Sequence, residues 1–486
     1  MNAAAARAVW SRVGWWALPP LVLAVLGGWL VAQRYSLWYD ELYTAEVAPV
    51  ALGRLVGAVV RGEGTIPYLP SAPPSYNGPY YAVTHAWLAV TRLPADEVGL
   101  RLLTLVAAVA GVLVFTRAVG RLAGPGVAAV AGLVAATNPL IVEFSAEARG
   151  YGLALLATSL AALGLARWLD ERPRSLLLYG LAGAAAGLMH WFAVLALVGL
   201  AVAALVLRGR RAVPILVVTA AACLPVATLV GVAVANGVSA SGAEWIADVG
   251  ADVPRLLLRS WAGTHVTLLV LTIAAVAAAL WPRRAAAAGE SRRQRDALLV
   301  AGAWSGIPVV IVTAIALVRP LYVDRYLLPA LLGLAVLVAL GVTRPHRRLA
   351  AVAVAAVLAA SLWATVATVR LGPKEDLRAA MEAVAAGHVA GQPVVPASRW
   401  EAMGVDHYSR RIGGDLRADA VLPPAGIPQA TAVWVVRRGS GGVGDDRAAR
   451  AALDRDLARR GLRVGAEQRF PGRYSVVVVQ RWELPP

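Results

Sequence analysis

The segment Val98–Arg121 reads VGLRLLTLVAAVAGVLVFTRAVGR, and it decides the class of fold. Its charged residues, Arg101, Arg117 and Arg121, lie toward its two ends, and nearly all the residues between them are apolar. An α-helix needs about 20 apolar residues to cross the hydrocarbon core of a bilayer. The segment therefore predicts a membrane-spanning helix.

Similar runs fill most of the chain before residue 371. Of the 486 residues, 59% are hydrophobic and only 15% are charged, whereas soluble domains carry about 25% charged residues. The mean hydropathy is +0.64. We predict a mainly α, polytopic membrane protein with about eleven crossings, at 13–33, 98–121, 125–143, 150–168, 176–190, 191–207, 213–235, 261–281, 297–318, 325–343 and 348–369.

The net charge of +17 does not point to nucleic acid. Most arginines lie in short loops between apolar runs, where they set topology and meet anionic headgroups. Cys223 is the only cysteine, so no disulfide framework is expected. The N-terminal run has no small-residue cleavage site before Trp38–Glu41, so it is not expected to be a cleavable signal peptide. The bias toward Ala, Arg, Val and Gly with only one lysine is typical of high-GC bacterial coding. With the apolar runs, it leads us to expect a bacterial plasma membrane protein.

The arginine clusters also predict the orientation. The positive-inside rule places them in the cytoplasm, and all can lie there only if the further segment 79–93 does not cross. Its tyrosines, histidine and tryptophan favour an interfacial helix instead. The N-terminus is then cytoplasmic, and 34–98 and the tail are extracytoplasmic. The clusters are Arg7/Arg12, Arg117/Arg121, Arg167/Arg172/Arg174, Arg208/Arg210/Arg211, Arg283/Arg284 with Arg292/Arg293/Arg295, and Arg344/Arg347/Arg348.

The tail has a different composition. Helix-like stretches at 375–386 and 445–460 alternate with short β runs at 393–395, 432–436 and 474–480, which predicts a small α/β domain. We therefore divide the chain into a transmembrane domain, 1–371, with its first extracytoplasmic loop at 34–98, and a soluble extracytoplasmic domain, 372–486. The glycine-rich stretch 439–444 is interpreted as a flexible loop.

Adjacent carboxylates, Asp40 and Glu41, follow the first crossing within the segment Ser36–Tyr43. Two anionic groups beside the hydrocarbon boundary are not needed to fix topology. One interpretation is a solvated loop with aromatic residues at headgroup level. The other is a general base at a membrane-facing site, with a divalent cation as a candidate cofactor.

Polar residues at four further sites are expected on the same outer face, and the first three sites have a structural alternative. Glu147 and Arg149 follow Asn138-Pro139, which is expected to kink or end a helix, and they form either a site or a salt-bridged cap. Arg101 lies inside a crossing, where ionisable groups are functional candidates, although snorkelling to the headgroups is the alternative. His190 is either a ligand contact or a hydrogen-bonded cap. The cluster around Arg325 and Tyr326 suits a phosphate, since guanidinium groups offer several donors.

Together these groups favour a substrate with a phosphate at headgroup level, an apolar tail and a polar group to transfer. At this point the residues resemble a family, the family 39-like glycosyltransferases of the GT-C class, which includes protein O-mannosyltransferases and the lipid A aminoarabinose transferase. The stretches that carry the resemblance are Leu37–Glu41, Pro73–Tyr81, Gly99–Leu102, Asn138–Tyr151, His190–Phe192 and Arg325–Pro329.

The resemblance implies a GT-C fold and inverting transfer from a polyprenyl-phosphate monosaccharide. Asp40 would be the catalytic base and Glu41 would support it or bind the acceptor. Glu147 would hold an arginine or ligate a metal. The candidates for binding substrate or lipid phosphate are Arg101, Arg149, His190, Arg325, Tyr326, Tyr81 and His85.

Two positions depart from the family pattern. The family's histidine or lysine is absent before Pro79, and Gly150 replaces a bulkier residue.

The expected function is transfer of mannose or a similar monosaccharide to an acceptor hydroxyl at the outer face of the plasma membrane. The acceptor is a glycan, a lipid or a protein, and the bilayer and the lipid-linked donor are the expected partners. One alternative is a transporter or flippase of lipid-linked sugars, which would usually show repeats and broken helices at the bilayer midplane. Another is a polyprenyl-phosphate-pentose transferase for cell-wall polysaccharide.

Overall fold

The computed structural model describes residues 15–237, 246, 248–281, 288–439 and 447–485, without the side chains of 76 and 288–291. The arginines at 7, 12, 283 and 284 and most of the predicted flexible loop 439–444 lie outside these residues. The helices are α1 (Trp15–Ala32), α2 (Tyr39–Val47), α3 (Leu52–Arg61), α4 (Gly78–Thr91), α5 (Glu97–Ala123), α6 (Pro125–Thr137), α7 (Pro139–Ser145), α8 (Tyr151–Leu169), α9 (Ser175–Met189), α10 (Ala193–Arg208), α11 (Val213–Ala235), α12 (Val253–Trp261), α13 (Val266–Leu280), α14 (Ala288–Ala316), α15 (Leu328–Val342), α16 (Arg347–Arg370), α17 (Leu377–Gly387), α18 (Ala402–Ile412), α19 (Gly414–Ala418) and α20 (Arg447–Arg459). The strands are β1 (Val394–Pro396), β2 (Ala432–Arg438), β3 (Arg463–Pro471) and β4 (Val476–Glu483).

Two compact units make up the chain. The membrane unit comprises Met1–Ala32 and Arg101–Arg370, and the second unit combines the first loop, Gln33–Leu100, with the tail, Leu371–Pro486. The predicted boundary between 371 and 372 stays a prediction about folding domains. The compact second unit is nevertheless built from both segments, so residues far apart in sequence lie in one unit.

The membrane unit is a bundle of apolar helices, as expected of a multi-pass membrane protein. Lipid offers no partner for backbone N–H and C=O groups, so the segments satisfy them internally as helices. Seven described helices are long and apolar enough to cross a membrane, or up to nine if each of two bent helix pairs is one span. Each of the eleven predicted runs coincides with a helix or a helix pair. Helix α4, which covers the further segment 79–93, is not among the helices long and apolar enough to cross a membrane.

The count of spans is lower than eleven for local reasons. Helices α10 and α11 count as one span, because together with the short 3₁₀ helix Gly209–Ala212 between them they form a continuous helical segment of 43 residues. Helix α9 has only 15 residues. The number of crossings and the orientation of the chain stay predictions.

One bent pair lies at the predicted helix break. Helices α6 and α7 meet at 65°. The Asn138 side chain caps α7 by accepting hydrogen bonds from the N–H groups of Leu140, at 3.0 Å, and Ile141, at 3.2 Å. Its amide donates to the Trp261 carbonyl oxygen at 2.8 Å. The kink expected at Asn138-Pro139 is therefore present, and Asn138 supplies a cap in the preferred residue class.

The tail carries a four-stranded sheet of order β1-β2-β4-β3, in which β1 and β2 are parallel and the other pairs are antiparallel. The predicted β runs correspond to β1, β2 and β4. Strand β3 was not predicted from the sequence, because it is almost wholly exposed and lacks an alternating apolar pattern. Helix α18 was also not predicted, and its inward face packs on the first loop.

Candidate active site

Asp40 and Glu41 occupy the first turn of α2. Trp38 is the residue before the helix, and its carbonyl oxygen accepts hydrogen bonds from the N–H groups of Glu41 and Leu42, both at 2.9 Å. Glu41 is only 1% exposed, whereas Asp40 is half-buried. Carboxylates in a first helical turn are stabilised by the partial positive charge of the helix N-terminus. Asp40 is therefore the more accessible carboxylate of the pair.

Helix α18 of the tail fixes the chain that leads into α2. The Leu37 N–H donates to the Tyr408 hydroxyl at 2.8 Å, and Ser36 Oγ lies 3.1 Å from the same hydroxyl. Tyr408 donates in turn to Glu97 Oε1 at 3.0 Å. Burial and the nearby Glu97 raise the pKa of Tyr408 above its usual value, so the hydroxyl stays protonated. A neutral hydroxyl can accept two bonds and donate one.

Buried charge around Glu97 completes this contact. Arg411 pairs with Glu97 at 2.8 Å, and Arg378 pairs with the same carboxylate. The side chain of Glu97 is only 2% exposed. A buried carboxylate needs such partners to stay ionised. First loop and tail are thus joined by ionic as well as neutral hydrogen bonds.

Tyr81 and His85 lie on α4 beside α2. Tyr81 is 1% exposed, with its ring centroid 5.7 Å from that of Tyr43. His85 Nδ1 lies 3.0 Å from the carbonyl oxygen of Ala48, the residue that follows α2. In the structure both residues support α2. Their predicted role in lipid-phosphate binding stays a prediction.

In the membrane unit, Arg325 lies in an aromatic pocket. The side chain is 9% exposed, and Nε donates to the Tyr151 hydroxyl at 3.1 Å. Its guanidinium carbon lies 5.8 Å from the centroid of the Tyr326 ring, and Tyr326 stacks on Phe192 at 4.7 Å. Aromatic faces attract a guanidinium group. The short 3₁₀ helix Asp324–Leu327 places Arg325 and Tyr326 at the start of α15.

His190 closes the same pocket from the turn between α9 and α10. Its ring centroid lies 5.1 Å from that of Tyr151 and 5.4 Å from that of Tyr326. Within the described residues, His190 Nδ1 is buried without a hydrogen-bond partner. Burial and two neighbouring arginines disfavour a positive charge on the His190 imidazole, which favours its neutral form.

Gly150 explains how this turn comes so close. A Cβ at residue 150 would collide with the carbonyl oxygen of Met189, the residue before His190. Only glycine permits this approach of two backbones. The departure from the family pattern at Gly150 thus has a local cause: it lets His190 pack on Tyr151.

Glu147 and Arg149 lie on the turn between α7 and α8. Glu147 is 3% exposed, Arg149 is half-buried, and both interact electrostatically with Tyr151. Arg101, 7% exposed on α5, precedes Thr104 by one turn. Thr104 Oγ1 accepts from the Gly152 N–H at 3.2 Å. Residues three apart share a helix face, so Arg101 lies on the face of α5 that packs on the start of α8.

The structure thus brings together Glu147, Arg149, His190, Arg325 and Tyr326 around Tyr151. Three sequence-distant segments contribute to this cluster. Arginines, a histidine and aromatic rings together offer donors to an anion and apolar surface to a hydrocarbon chain. The role of these residues in binding a lipid phosphate stays a prediction.

Two solved structures resemble this chain in fold. ArnT from Cupriavidus metallidurans in the apo state superposes with a TM-score of 0.57 at 16% sequence identity, over 96% of this chain and 98% of that chain. The structure of the same protein bound to undecaprenyl phosphate gives a TM-score of 0.55 at 15% identity, over 96% and 98%. The chain has the fold of ArnT.

The GT-C fold expected from the resemblance is therefore confirmed, because ArnT is the lipid A aminoarabinose transferase. No protein-family model matches the sequence, and no curated protein matches it. The ArnT-like fold is thus recognised through structure, over almost the whole length of both chains.

Several residues of the ArnT-like structure were not predicted as site residues. We predicted no role for Tyr151 from the sequence, although its ring contacts His190 and its hydroxyl accepts a hydrogen bond from Arg325. Lys374, Glu375 and Tyr408 contact the segment before Asp40 from the tail. The signal for Lys374 was its rarity, since it is the only lysine in the chain.

A metal site is not apparent in the described part of the chain. There, no group of three or more His, Cys, Asp or Glu side chains is placed to hold a metal ion. The candidate divalent cation, at Asp40 and Glu41 or at Glu147, stays a prediction.

Proposed function

We propose that this protein is an inverting glycosyltransferase. It transfers a monosaccharide, mannose or a similar sugar, from a polyprenyl-phosphate donor to an acceptor hydroxyl at the outer face of the plasma membrane. The ArnT-like fold supports this proposal, as does the binding of undecaprenyl phosphate named for the solved ArnT structure. The observation that carries it is the buried Arg325 in its aromatic pocket.

The donor phosphate is assigned to Arg325, Arg149 and Arg101. The phosphodiester of the donor carries one negative charge, and the phosphomonoester that leaves carries up to two. Arginines near this group therefore stabilise the transition state more than the bound donor. His190 contributes a neutral hydrogen-bonding group, and Tyr326 contributes apolar surface.

Asp40 is assigned the role of general base. It takes the proton of the acceptor hydroxyl while that oxygen forms a bond to the anomeric carbon on the face opposite the phosphate. The bond between the anomeric carbon and the phosphate oxygen breaks, and its electron pair stays on the phosphate. General-base assistance typically contributes about 10²–10⁴-fold. Glu41, which is buried, supports α2 or contacts the acceptor.

The test uses the full chain in lipid nanodiscs. Polyprenyl-phosphate mannose with radiolabelled sugar is incubated with a cell-envelope fraction as acceptor, and both transferred label and released polyprenyl phosphate are measured. We expect release and transfer by the wild-type protein, an inverted anomeric centre in the product, and a loss of about 10²–10⁴-fold in Asp40→Asn.

The controls separate the alternatives. If the protein accepts only a polyprenyl-phosphate pentose as donor, the transferred sugar is a pentose and the mechanism is unchanged. Movement of the intact lipid-linked sugar across a liposome membrane, without release of polyprenyl phosphate, would identify a flippase and overturn the proposal. Full activity of Asp40→Asn would remove the assignment of the base.

A further inference from the structure

The position of Asp40 depends on a short helix with weak local support. Helix α2 has nine residues, and the residue before it, Trp38, makes no side-chain cap. Isolated helices of this length are marginal. Contacts from outside the helix must therefore hold its first turn.

Glu375 supplies the missing cap from the tail. Its Oε2 accepts a hydrogen bond from the Tyr39 N–H at 3.3 Å. The N–H groups of a first helical turn have no partner inside the helix, and a carboxylate placed there also interacts favourably with the helix dipole. Glu375 thus caps a helix that begins 336 residues earlier in the sequence.

Two cations of the tail hold the aromatic residues before Asp40. Lys374 Nζ lies 4.7 Å from the centroid of the Trp38 ring and 5.3 Å from that of Tyr474. The guanidinium carbon of Arg438 lies 5.2 Å from the centroid of Tyr39. The consecutive residues Lys374 and Glu375 therefore contact the consecutive residues Trp38 and Tyr39.

This set is buried and connected. Lys374, Glu375 and Arg438 are 7%, 4% and 3% exposed. Arg438 pairs with Glu375 at 2.8 Å, and Ser475 Oγ donates to Glu375 Oε1 at 3.1 Å. Buried ions with several partners have well-defined positions, whereas solvated side chains do not.

We propose that Lys374, Glu375 and Arg438 are positioning residues, which set the place of Asp40 by fixing Trp38 and Tyr39. This inference rests on the proposed function, in which Asp40 is the base. A displacement of about 1 Å can lower a rate about 10²-fold. The tail thus affects the chemistry through the position of Asp40.

The test is a double-mutant cycle with Glu375→Ala in the wild-type and Asp40→Asn backgrounds, using the radiolabelled mannose donor. If Glu375 acts through Asp40, Glu375→Ala lowers kcat about 10–100-fold in the wild type and has little further effect in Asp40→Asn. Glu375→Gln keeps an acceptor oxygen for the Tyr39 N–H and is expected to retain more activity than Glu375→Ala.

The matched control is Arg437→Met. Arg437 neighbours Arg438 on β2 but pairs with Asp454 at 2.6 Å, away from α2. Arg438→Met is expected to behave like Glu375→Ala, and Arg437→Met like the wild type. If Glu375→Ala does not fold, the same cycle is run with Lys374→Gln, which removes the cation beside Trp38.

Equal fold-losses in both backgrounds would overturn the inference, because a purely structural role lowers the active fraction whatever residue stands at 40. That result leaves the proposed function intact if Asp40→Asn alone is impaired. Full activity of Asp40→Asn instead refutes the assigned base.

Discussion

Replacement of Arg325 by methionine removes a buried cation of the proposed phosphate site. A unit charge about 4 Å from a phosphate, at an effective dielectric constant of about 20, contributes about 4 kcal/mol. Loss of one preorganised donor in known enzymes costs about 10²–10³-fold in kcat. Because Arg325 is 9% exposed and anchored on Tyr151, we expect Arg325→Met to lie within that range.

The loss should appear mainly in kcat, since negative charge on the phosphate grows as the sugar leaves. Arg325→Lys keeps the charge but not the planar fork, so its loss should be smaller, about 10-fold. Tyr151→Phe removes only the hydroxyl that accepts from Nε, which corresponds to about 0.5–1.5 kcal/mol.

The assay measures initial rates of release of polyprenyl phosphate from the mannose donor in nanodiscs. Arg319→Met is the matched control, because Arg319 is an exposed arginine of the same loop. Thermal unfolding of each variant shows that it is folded. Equal rates for Arg325→Met and Arg319→Met would refute the assignment of Arg325 to the leaving phosphate.

Two further predictions concern stability, measured as unfolding midpoints in detergent. Gly150→Ala should destabilise the protein by about 1–3 kcal/mol, since its Cβ meets the Met189 carbonyl oxygen. Gly231→Ala, where a Cβ has open space, should not destabilise it, and equal midpoints for the two variants would contradict the explanation. Burial and Glu46 raise the pKa of Asp406, so the contribution of Asp406 to stability is present below the ordinary aspartate pKa and is lost as pH rises through the raised pKa. Asp406→Asn should therefore stabilise the protein at pH 7 and have no effect near pH 3, whereas destabilisation at pH 7 would contradict this sign.

The membrane fold could be predicted because it depends on hydropathy along the sequence. A run such as Val98–Arg121 must become a helix in lipid, whatever its neighbours are. The Asn138-Pro139 break followed from local chemistry in the same way. In the tail, β4 was recognised by its consecutive valines, while β3 escaped because almost all its residues are exposed.

The candidate site was only partly predictable. Charged residues near apolar segments are costly, so Arg149, His190 and Arg325 were recognisable one by one. Tyr151 was not, because a tyrosine at the start of a helix is ordinary in isolation. Its role depends on Gly150, whose missing side chain lets the turn at Met189 approach.

By itself, the sequence determined that the chain is a polytopic helical protein with a small α/β tail, since hydropathy and strand patterns act over about ten to twenty residues. It also determined which ionisable groups need partners. The tertiary structure alone decided that first loop and tail form one unit, with Lys374, Glu375 and Tyr408 on the segment before Asp40. Contacts between residues more than 300 positions apart depend on how elements pack, and no local pattern encodes them.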